Sequence, residues 1–288
     1  MRAADIARLV ALSAIWGASF MFMRIAAPAI GPVWTSTSRV LLGGLVLLVW
    51  FRMTGFDPEL RRHARVYLMI GAVNSAIPFT LYAFASIHLP AAFLATLNAT
   101  APAFGLVFGA LAGLEQVNAR RIAGLLLGGL GVALLAGAGD AAAGPASGSM
   151  AGWAIAASLA ACAGYGITGV LIKKYARDAS PRGIAVGAQL GAAVLLLPLL
   201  PLQLPSALPG PAVIASILGL ALLASAVALV MYFRLIANVG AARALTVTYL
   251  IPVFGALWGW MFLGEALPAD LFAGGAAIIA GTLLVTRG

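Results

Sequence analysis

Charged residues are scarce in this chain of 288 residues: Asp, Glu, Lys and Arg together make up 9%, whereas 63% of the residues are hydrophobic. The mean hydropathy is +1.06. Soluble globular domains carry about 25% charged residues, so this composition excludes that class. The apolar runs reach about 20 residues, the length of a helix that crosses a bilayer, and they lack the alternation of a membrane β-strand. We therefore expect a polytopic, all-α integral membrane protein.

The residues that usually carry enzyme chemistry are also few. The single cysteine, Cys162, lies inside an apolar run, and the two histidines, His63 and His88, lie at the ends of such runs. Neither histidine can reach Ser19 at the centre of the first run, and no phosphate-binding G-x-x-x-x-G-K-[ST] motif is present. We expect no catalytic residue, no cofactor, no bound metal ion and no ATP-driven pumping. An intramembrane enzyme is the distant alternative.

Acidic residues are absent from the middle of every apolar run. The eight that occur fall at span ends or in loops, and they are Asp5, Asp57, Glu59, Glu115, Asp140, Asp178, Glu265 and Asp270. Proton-coupled exporters of organic cations place a carboxylate near the membrane midplane. This class is therefore disfavoured, and a carrier of zwitterionic or neutral solutes fits better.

Ten apolar runs can be placed along the chain, each long enough to cross the hydrocarbon core as a helix. They cover residues 5–27, 33–53, 65–87, 90–113, 118–137, 150–173, 183–203, 211–235, 241–263 and 268–286. Most connections are short. The exception, residues 138–149, has the Gly- and Ser-containing composition of a flexible linker.

The chain contains one pattern twice, because residues 90–135 match residues 240–285 at a constant offset of 150 without a gap. The aligned pairs include Pro102 and Pro252, Phe104 and Phe254, Gly105 and Gly255, Glu115 and Glu265, and Gly124 and Gly274. Earlier spans match more weakly, and there Arg39 aligns with Gln189. We predict a first five-helix repeat at 1–137, an extracytoplasmic linker at 138–149 and a second repeat at 150–288. Five is an odd number of spans, so the second repeat is inserted upside down.

The basic residues indicate the orientation of the spans. With a cytoplasmic N-terminus, all of the 17 Lys and Arg residues except Arg24 and Arg39 fall at inner ends or in inner loops. The positive-inside rule then predicts that both termini are cytoplasmic. The net charge of +9 accordingly reports membrane orientation, and we expect lipid rather than nucleic acid around this protein.

Glu115 and Glu265 are tempting as a functional pair because they repeat. Each lies just before the next helix begins, where a carboxylate accepts hydrogen bonds from free N–H groups. Inversion would place them on opposite membrane faces, so we interpret both as structural.

Polar and aromatic residues near the midplane of both halves are the candidates for substrate binding. Aromatic rings beside hydrogen-bonding groups suit solutes with varied side chains, although ordinary helix packing explains any one of them equally well. The candidates are Trp16, Phe20, Asn74, Tyr82, Asn98, Tyr165, Thr168, Tyr232, Thr248 and Tyr249. Pro102 and Pro252, with Gly105 and Gly255 one turn later, are predicted to break or hinge two helices.

Arg39 is the remaining candidate for substrate binding. It lies about two turns inside the second span, where a charge is costly and usually faces the bundle interior. It could receive the carboxylate of a solute, bond helix-end carbonyls, or extend outward to water.

These features resemble the EamA-type family of the drug/metabolite transporter superfamily. The resemblance rests on the sequence from Trp16 to Phe20, on Arg39 early in the second span, and on the doubled Pro, Glu and Gly pattern. It implies ten helices in two inverted repeats in a bacterial-type inner membrane, with both termini inside. It also implies a secondary transporter that exports small metabolites, amino acids in particular, by alternating access. Drug efflux and nucleotide-sugar transport are the alternatives on the same architecture.

Overall fold

The structure is a computed structural model, which describes residues 2–143, 150–205, 208–244 and 246–287. Throughout this part of the chain the regular structure is helical. Its ten apolar helices are α1 Ala3–Ile30, α2 Pro32–Met53, α3 Ala64–His88, α4 Ala91–Leu111, α5 Ala119–Ala143, α6 Met150–Tyr175, α7 Pro181–Leu202, α8 Pro211–Val239, α9 Val247–Leu263 and α10 Ala269–Arg287. Among the described residues, nine of them are long and apolar enough to span a membrane, and α9 is shorter, with 17 residues.

The predicted spans coincide with these ten helices to within a few residues, except at two places. Helix α5 continues to Ala143, so the first half of the predicted linker at 138–149 is helical, while residues 144–149 lie outside the described part. The span predicted at 241–263 consists of a short helix, Ala241–Ala244, followed by α9.

Two helices contain a stretch of π-helix, at Ala72–Ala76 in α3 and at Gly219–Val227 in α8. A π turn holds one more residue than an α turn, so it rotates the side chains that follow it, and it is frequent at functional sites. The two stretches overlap under the offset of 150 between the halves. Both halves of the chain thus depart from regular α-helix at matching positions.

The helices pack across the two halves of the chain as well as within them. Helix α1 lies against α9, α6 lies against α3 and α4, α2 lies against α7, and α5 lies against α10. The α1–α9 contact is close: a Cβ added at Gly17 would lie 2.9 Å from the amide nitrogen of Gly255. The related α6–α4 contact is equally close, because a Cβ at Gly166 would lie 2.9 Å from the nitrogen of Gly105. Glycine at both positions lets the backbones touch.

The largest buried cluster lies where α3, α4 and α6 meet, and it includes Tyr82, Phe93, Leu97 and Cys162. The residues of α4 from Ala91 to Leu97 are all buried. Phe20, Tyr82 and Ile251 of this cluster also line a large cavity, so the buried core forms part of the cavity wall.

Candidate functional site

A cavity of about 1110 Å³ lies between the helices of the two halves. Binding sites for small molecules typically have volumes of roughly 300–1,000 Å³, so this cavity is large enough for a small solute. All eleven residues predicted from the sequence to bind substrate line it: Trp16, Phe20, Arg39, Asn74, Tyr82, Asn98, Tyr165, Thr168, Tyr232, Thr248 and Tyr249. Their contact with a substrate stays a prediction, but the structure brings them to one space.

Aromatic rings form much of the wall. Phe20 meets Tyr82 edge to face with ring centroids 5.4 Å apart, and Tyr82 stacks on Tyr165 at 6.5 Å. On the other side Trp16 packs against Tyr232 at 5.3 Å. Each pair joins helices that are distant in the sequence, so these rings shape the cavity and also hold its walls together.

Hydrogen bonds fix two of these rings. The indole Nε1 of Trp16 donates to the carbonyl oxygen of Ala224 at 3.2 Å. The Tyr82 hydroxyl lies 3.1 Å from both Asn98 Oδ1 and the sulfur of Cys162. Tyr82 is 2% exposed, so only an edge of it can reach a solute.

Arg39 is the cation in the deep part of the cavity. Its Nε donates to Ser225 Oγ at 3.3 Å, and the guanidinium carbon lies 3.8 Å from the centroid of the Phe79 ring. Arg39 makes none of the ion pairs of the described residues, and it neither reaches helix-end carbonyls nor extends to water, being 7% exposed. The charge is held by a hydroxyl and a ring, and a guanidinium can donate up to five hydrogen bonds.

Gln189 received no role from the sequence, whereas Ser225 and Ser75 belong to the polar residues near the midplane. Gln189 of α7 lines the cavity, is 5% exposed, and its Oε1 is buried without a hydrogen-bond partner. Ser225 lies in the π stretch of α8 and lines the cavity together with Ser75, which lies in the π stretch of α3. The signal for Gln189 was present in the repeat, because an offset of 150 takes Arg39 to Gln189, and the same offset takes Ser75 to Ser225.

The predicted helix breaks are realised in only one half. Helix α4 is interrupted at Ala99 and Thr100, just before Pro102, and the freed carbonyl of Ala99 accepts a 2.7 Å hydrogen bond from Thr282. Pro252 instead lies inside α9, is buried and does not line the cavity. The prediction of a break at Pro252 is wrong, since the helix runs through it.

The matching glycines also differ. Gly255 is buried and packs against Ala95 of α4. Gly105 lines the cavity, and a Cβ added there meets nothing within 4 Å. The close contact at this point of α4 is made by Gly166 of α6, which packs onto the backbone of Phe104 and Gly105. Helices α4 and α9 touch near Gly255 but leave open space beside Gly105.

At one end the cavity lining includes Met23 but neither Arg24 nor Glu265, which form an ion pair with each other. Both carboxylate oxygens of Glu265 accept from the amide of Ala91, at 2.9 and 3.0 Å, and Arg24 Nε lies 3.3 Å away. Arg24 also donates to the carbonyls of Ser86 and Ile87, at 2.8 and 3.0 Å. Glu265 thus caps the start of α4, whereas the sequence had assigned it to the helix that follows it, α10. Glu265 therefore caps the start of a helix, as predicted, but the amide that donates to it lies 174 positions away in the sequence.

The other end of the cavity reaches exposed residues around Glu115. Lys173 Nζ lies 2.8 Å from Glu115 Oε1, and Arg121 lies 3.5 Å from Oε2. The hydrogen bond from Lys173, assisted by the two positive charges, lowers the pKa of the Glu115 carboxyl below its usual value. Both ends of the described chain lie on this face: Arg287 lines the cavity mouth, and Arg243 lines both the mouth and a neighbouring pocket that contains Arg2.

The charged lining is strongly unbalanced. The basic residues on the described wall are Arg39, Arg121, Lys173, Arg243 and Arg287. The acidic one is Glu115, and it is already paired. Such a wall attracts anionic groups and repels cations.

Comparisons with known proteins agree with this architecture. Two stretches of the chain, residues 6–137 and 152–287, match the model of the EamA-like transporter family. A solved crystal structure superimposes with a TM-score of 0.68 over 100% of this chain and 98% of its own, at 21% identity, which establishes a shared fold.

Curated relatives match over nearly the whole length. The probable terminal-alkyne amino-acid exporter of Streptantibioticus cattleyicolor is 28% identical over 97% of this chain and 92% of its own. The uncharacterized inner membrane transporter YedA of Escherichia coli is 28% identical over 97% and 90%. The uncharacterized transporter YvbV of Bacillus subtilis is 25% identical over 96% and 90%. With its ten apolar helices and two matched stretches, this chain belongs to the EamA-like transporter family.

Proposed function

We propose that this protein is a secondary transporter that exports small metabolites, amino acids first among them, through the cavity between its halves. The observation that carries the proposal is Arg39, a buried cation in the cavity wall whose only polar protein partner among the described residues is a serine hydroxyl. Burying a charge within the membrane costs free energy, and charges found there usually have a function. The carboxylate of a bound solute would pair with Arg39, and this ion pair would end when the solute is released.

The wall around Arg39 supports a solute that also carries a side chain. The rings of Phe20, Tyr82 and Tyr165 border the cavity and present apolar edges to it. Such surfaces accept aliphatic and aromatic groups alike. The name of the exporter from Streptantibioticus cattleyicolor points to an amino acid as well. Organic cations, by contrast, would meet a basic lining, which disfavours drug efflux of that kind.

The difference between the two ends of the cavity supports alternating access. Arg24 and Glu265, which bond to each other and to the start of α4, lie outside the cavity lining, whereas at the Glu115 end the lining includes exposed residues. If residues 1–137 and 150–288 are inverted copies, exchanging the conformations of the halves would close the Glu115 end and open the other. The basic residues at the Glu115 end favour a cytoplasmic position for it in a bacterial-type inner membrane, so this conformation would load solute from inside.

Purified protein in liposomes tests the proposal. Liposomes loaded with radiolabelled amino acids, without a pH gradient, should release them faster than protein-free liposomes, and an excess of unlabelled solute should slow that release. Release only when a proton gradient is imposed would contradict the proposal. So would release of cationic dyes or nucleotide sugars with no release of amino acids.

A further inference from the structure

We infer that Gln189 is a second recognition residue of the cavity: its side-chain amide oxygen accepts a hydrogen bond from the ammonium group of a solute whose carboxylate is held by Arg39. The inference rests on the proposed function and narrows its substrate class to α-amino carboxylates. It starts from a buried acceptor, Gln189 Oε1, for which no described residue supplies a hydrogen-bond donor.

Gln189 of α7 packs beside the segment of α2 that carries Arg39. A Cβ added at Gly44 would lie 3.1 Å from the Gln189 Cβ, and one at Gly43 would lie 2.9 Å from the Ser225 Cβ. Ser225 is the residue that accepts from Arg39. Positions 39 and 44 are separated by about 7.5 Å along a helix axis. Arg39 of α2 and Gln189 of α7 both line the cavity, so the two side chains can hold the two ends of one small solute.

The chemistry of the two side chains is complementary to a zwitterion. A guanidinium offers only donors, which suits a carboxylate, and an amide oxygen offers lone pairs, which suit an ammonium group. A buried acceptor is normally satisfied, and an unpaired one in a native cavity marks a place for a ligand or water. Because the amide is neutral, it leaves the Arg39 charge available for the solute, whereas a carboxylate at this position would neutralise it.

The repeat gives the pair a further property. Helices α2 and α7 pack against each other, and Arg39 and Gln189 are related by the offset of 150 between the halves. Two equivalent positions that face one cavity thus carry different groups, a cation and a neutral acceptor. A solute bound between them would have its carboxylate on the first repeat and its ammonium on the second, so it would touch both moving halves.

The experiment compares three solutes that differ only in their charged groups: phenylalanine, 3-phenylpropionate, which lacks the ammonium, and phenethylamine, which lacks the carboxylate. Leucine and 4-methylpentanoate form an aliphatic pair. Binding to purified protein is measured as thermal stabilisation, and transport as release from liposomes. The wild type should bind phenylalanine about tenfold more tightly than 3-phenylpropionate, and phenethylamine should bind least.

Gln189→Leu should weaken phenylalanine binding about tenfold, to the level of 3-phenylpropionate, while 3-phenylpropionate changes less than about twofold. Gln189→Met, which fits the same space flexibly without an acceptor oxygen, repeats the test if the leucine variant unfolds. Gln189→Glu should weaken both solutes because it pairs with Arg39. Gln116→Leu, in an exposed loop, is the matched control and should change neither solute.

An equal loss of both solutes in Gln189→Leu would overturn the inference and make Gln189 a packing residue. Unchanged binding of both solutes in Gln189→Leu would also overturn the inference. Equal wild-type affinity for phenylalanine and 3-phenylpropionate would overturn it as well, and neither result would contradict the proposed export of amino acids. A wild-type protein that neither binds nor releases any amino acid would instead overturn the proposed function itself.

Discussion

The role of Arg39 is indicated more clearly by the groups that it contacts than by its depth in the second span. Its depth in the second span is consistent with a substrate contact, a helix-end contact or a reach to water. The structure leaves it buried on Phe79 and Ser225. Neighbouring Thr35, Ser36 and Thr37 donate to backbone carbonyls one turn earlier, and the hydroxyl that accepts from the guanidinium is that of Ser225.

We expect Arg39→Gln to weaken binding of carboxylate solutes by about 10-fold or more, because hydrogen bonds to a charged group contribute roughly 1.5–3 kcal/mol. Arg39→Lys should recover part of the loss, since lysine keeps the charge but not the forked geometry. Concentration-dependent release from liposomes measures both. The control is Arg24→Gln, which should lower stability more than affinity because Arg24 bonds backbone carbonyls. Unchanged affinity in Arg39→Gln would make its role structural.

The cavity residues themselves could be predicted because polar and aromatic groups are rare in such an apolar chain. When nearly every neighbour is Leu, Ala or Gly, a tyrosine or asparagine at the midplane of a span stands out. Their partners could not be predicted. The Tyr82 hydroxyl contacts Cys162, 80 positions away, and Glu265 caps a helix 174 positions away. Contacts of this range depend on how helices cross, which no local pattern specifies.

At the scale of the helices, the lengths and positions of the spans can be predicted from the sequence, but the breaks and π-helical stretches within them cannot. Span ends follow from the change between apolar and polar residues. The π stretches in α3 and α8 carry no local signature, and Pro252 lies within a continuous helix although Pro102 follows a break. Two aligned prolines in different backbone environments show that the halves differ in conformation at this position.

The contrast between helix glycines can be tested by adding one methyl group at a time. Gly17→Ala should destabilise the protein by about 1–3 kcal/mol, because its Cβ would meet the backbone of α9. Gly105→Ala should change stability by less than about 0.5 kcal/mol, since its Cβ meets open space. Thermal unfolding in detergent measures both variants under the same conditions. Equal losses at the two positions would contradict the open space described beside Gly105.

A second test at Gly105 separates folding from transport. Gly105→Leu should fold with nearly the wild-type unfolding temperature but slow the release of every solute, because its side chain would occupy the cavity.

At the scale of the whole molecule, the two glutamate clusters should act in opposite directions on one equilibrium. Glu265→Gln removes the charge that holds Arg24 at the closed end, so it should favour the conformation open at that end. Glu115→Gln should favour the conformation described here. A cysteine at Met23, which is 2% exposed at the closed end of the cavity, reports the change when Cys162 is first replaced by Ala.

Labelling of this cysteine by a membrane-impermeant thiol reagent from outside should be several-fold faster with Glu265→Gln and slower with Glu115→Gln. A shift in the same direction for both variants would contradict an exchange between two repeats. Labelling from the cytoplasmic side alone in all variants would show that the closed end does not open.

The fixed charge of Arg39 also has an electrical consequence. No carboxylate on the described wall is unpaired, so the cavity has no free acidic group with which to bind and release a proton during a cycle. The charge moved per cycle would then be set by the solute alone. A zwitterion would cross without net charge and reach only its concentration equilibrium. A solute with a carboxylate alone would leave a negative interior with about 2.3 kcal/mol of assistance per 100 mV, about a fiftyfold gradient, so the membrane voltage would act as a selective driving force for anion export.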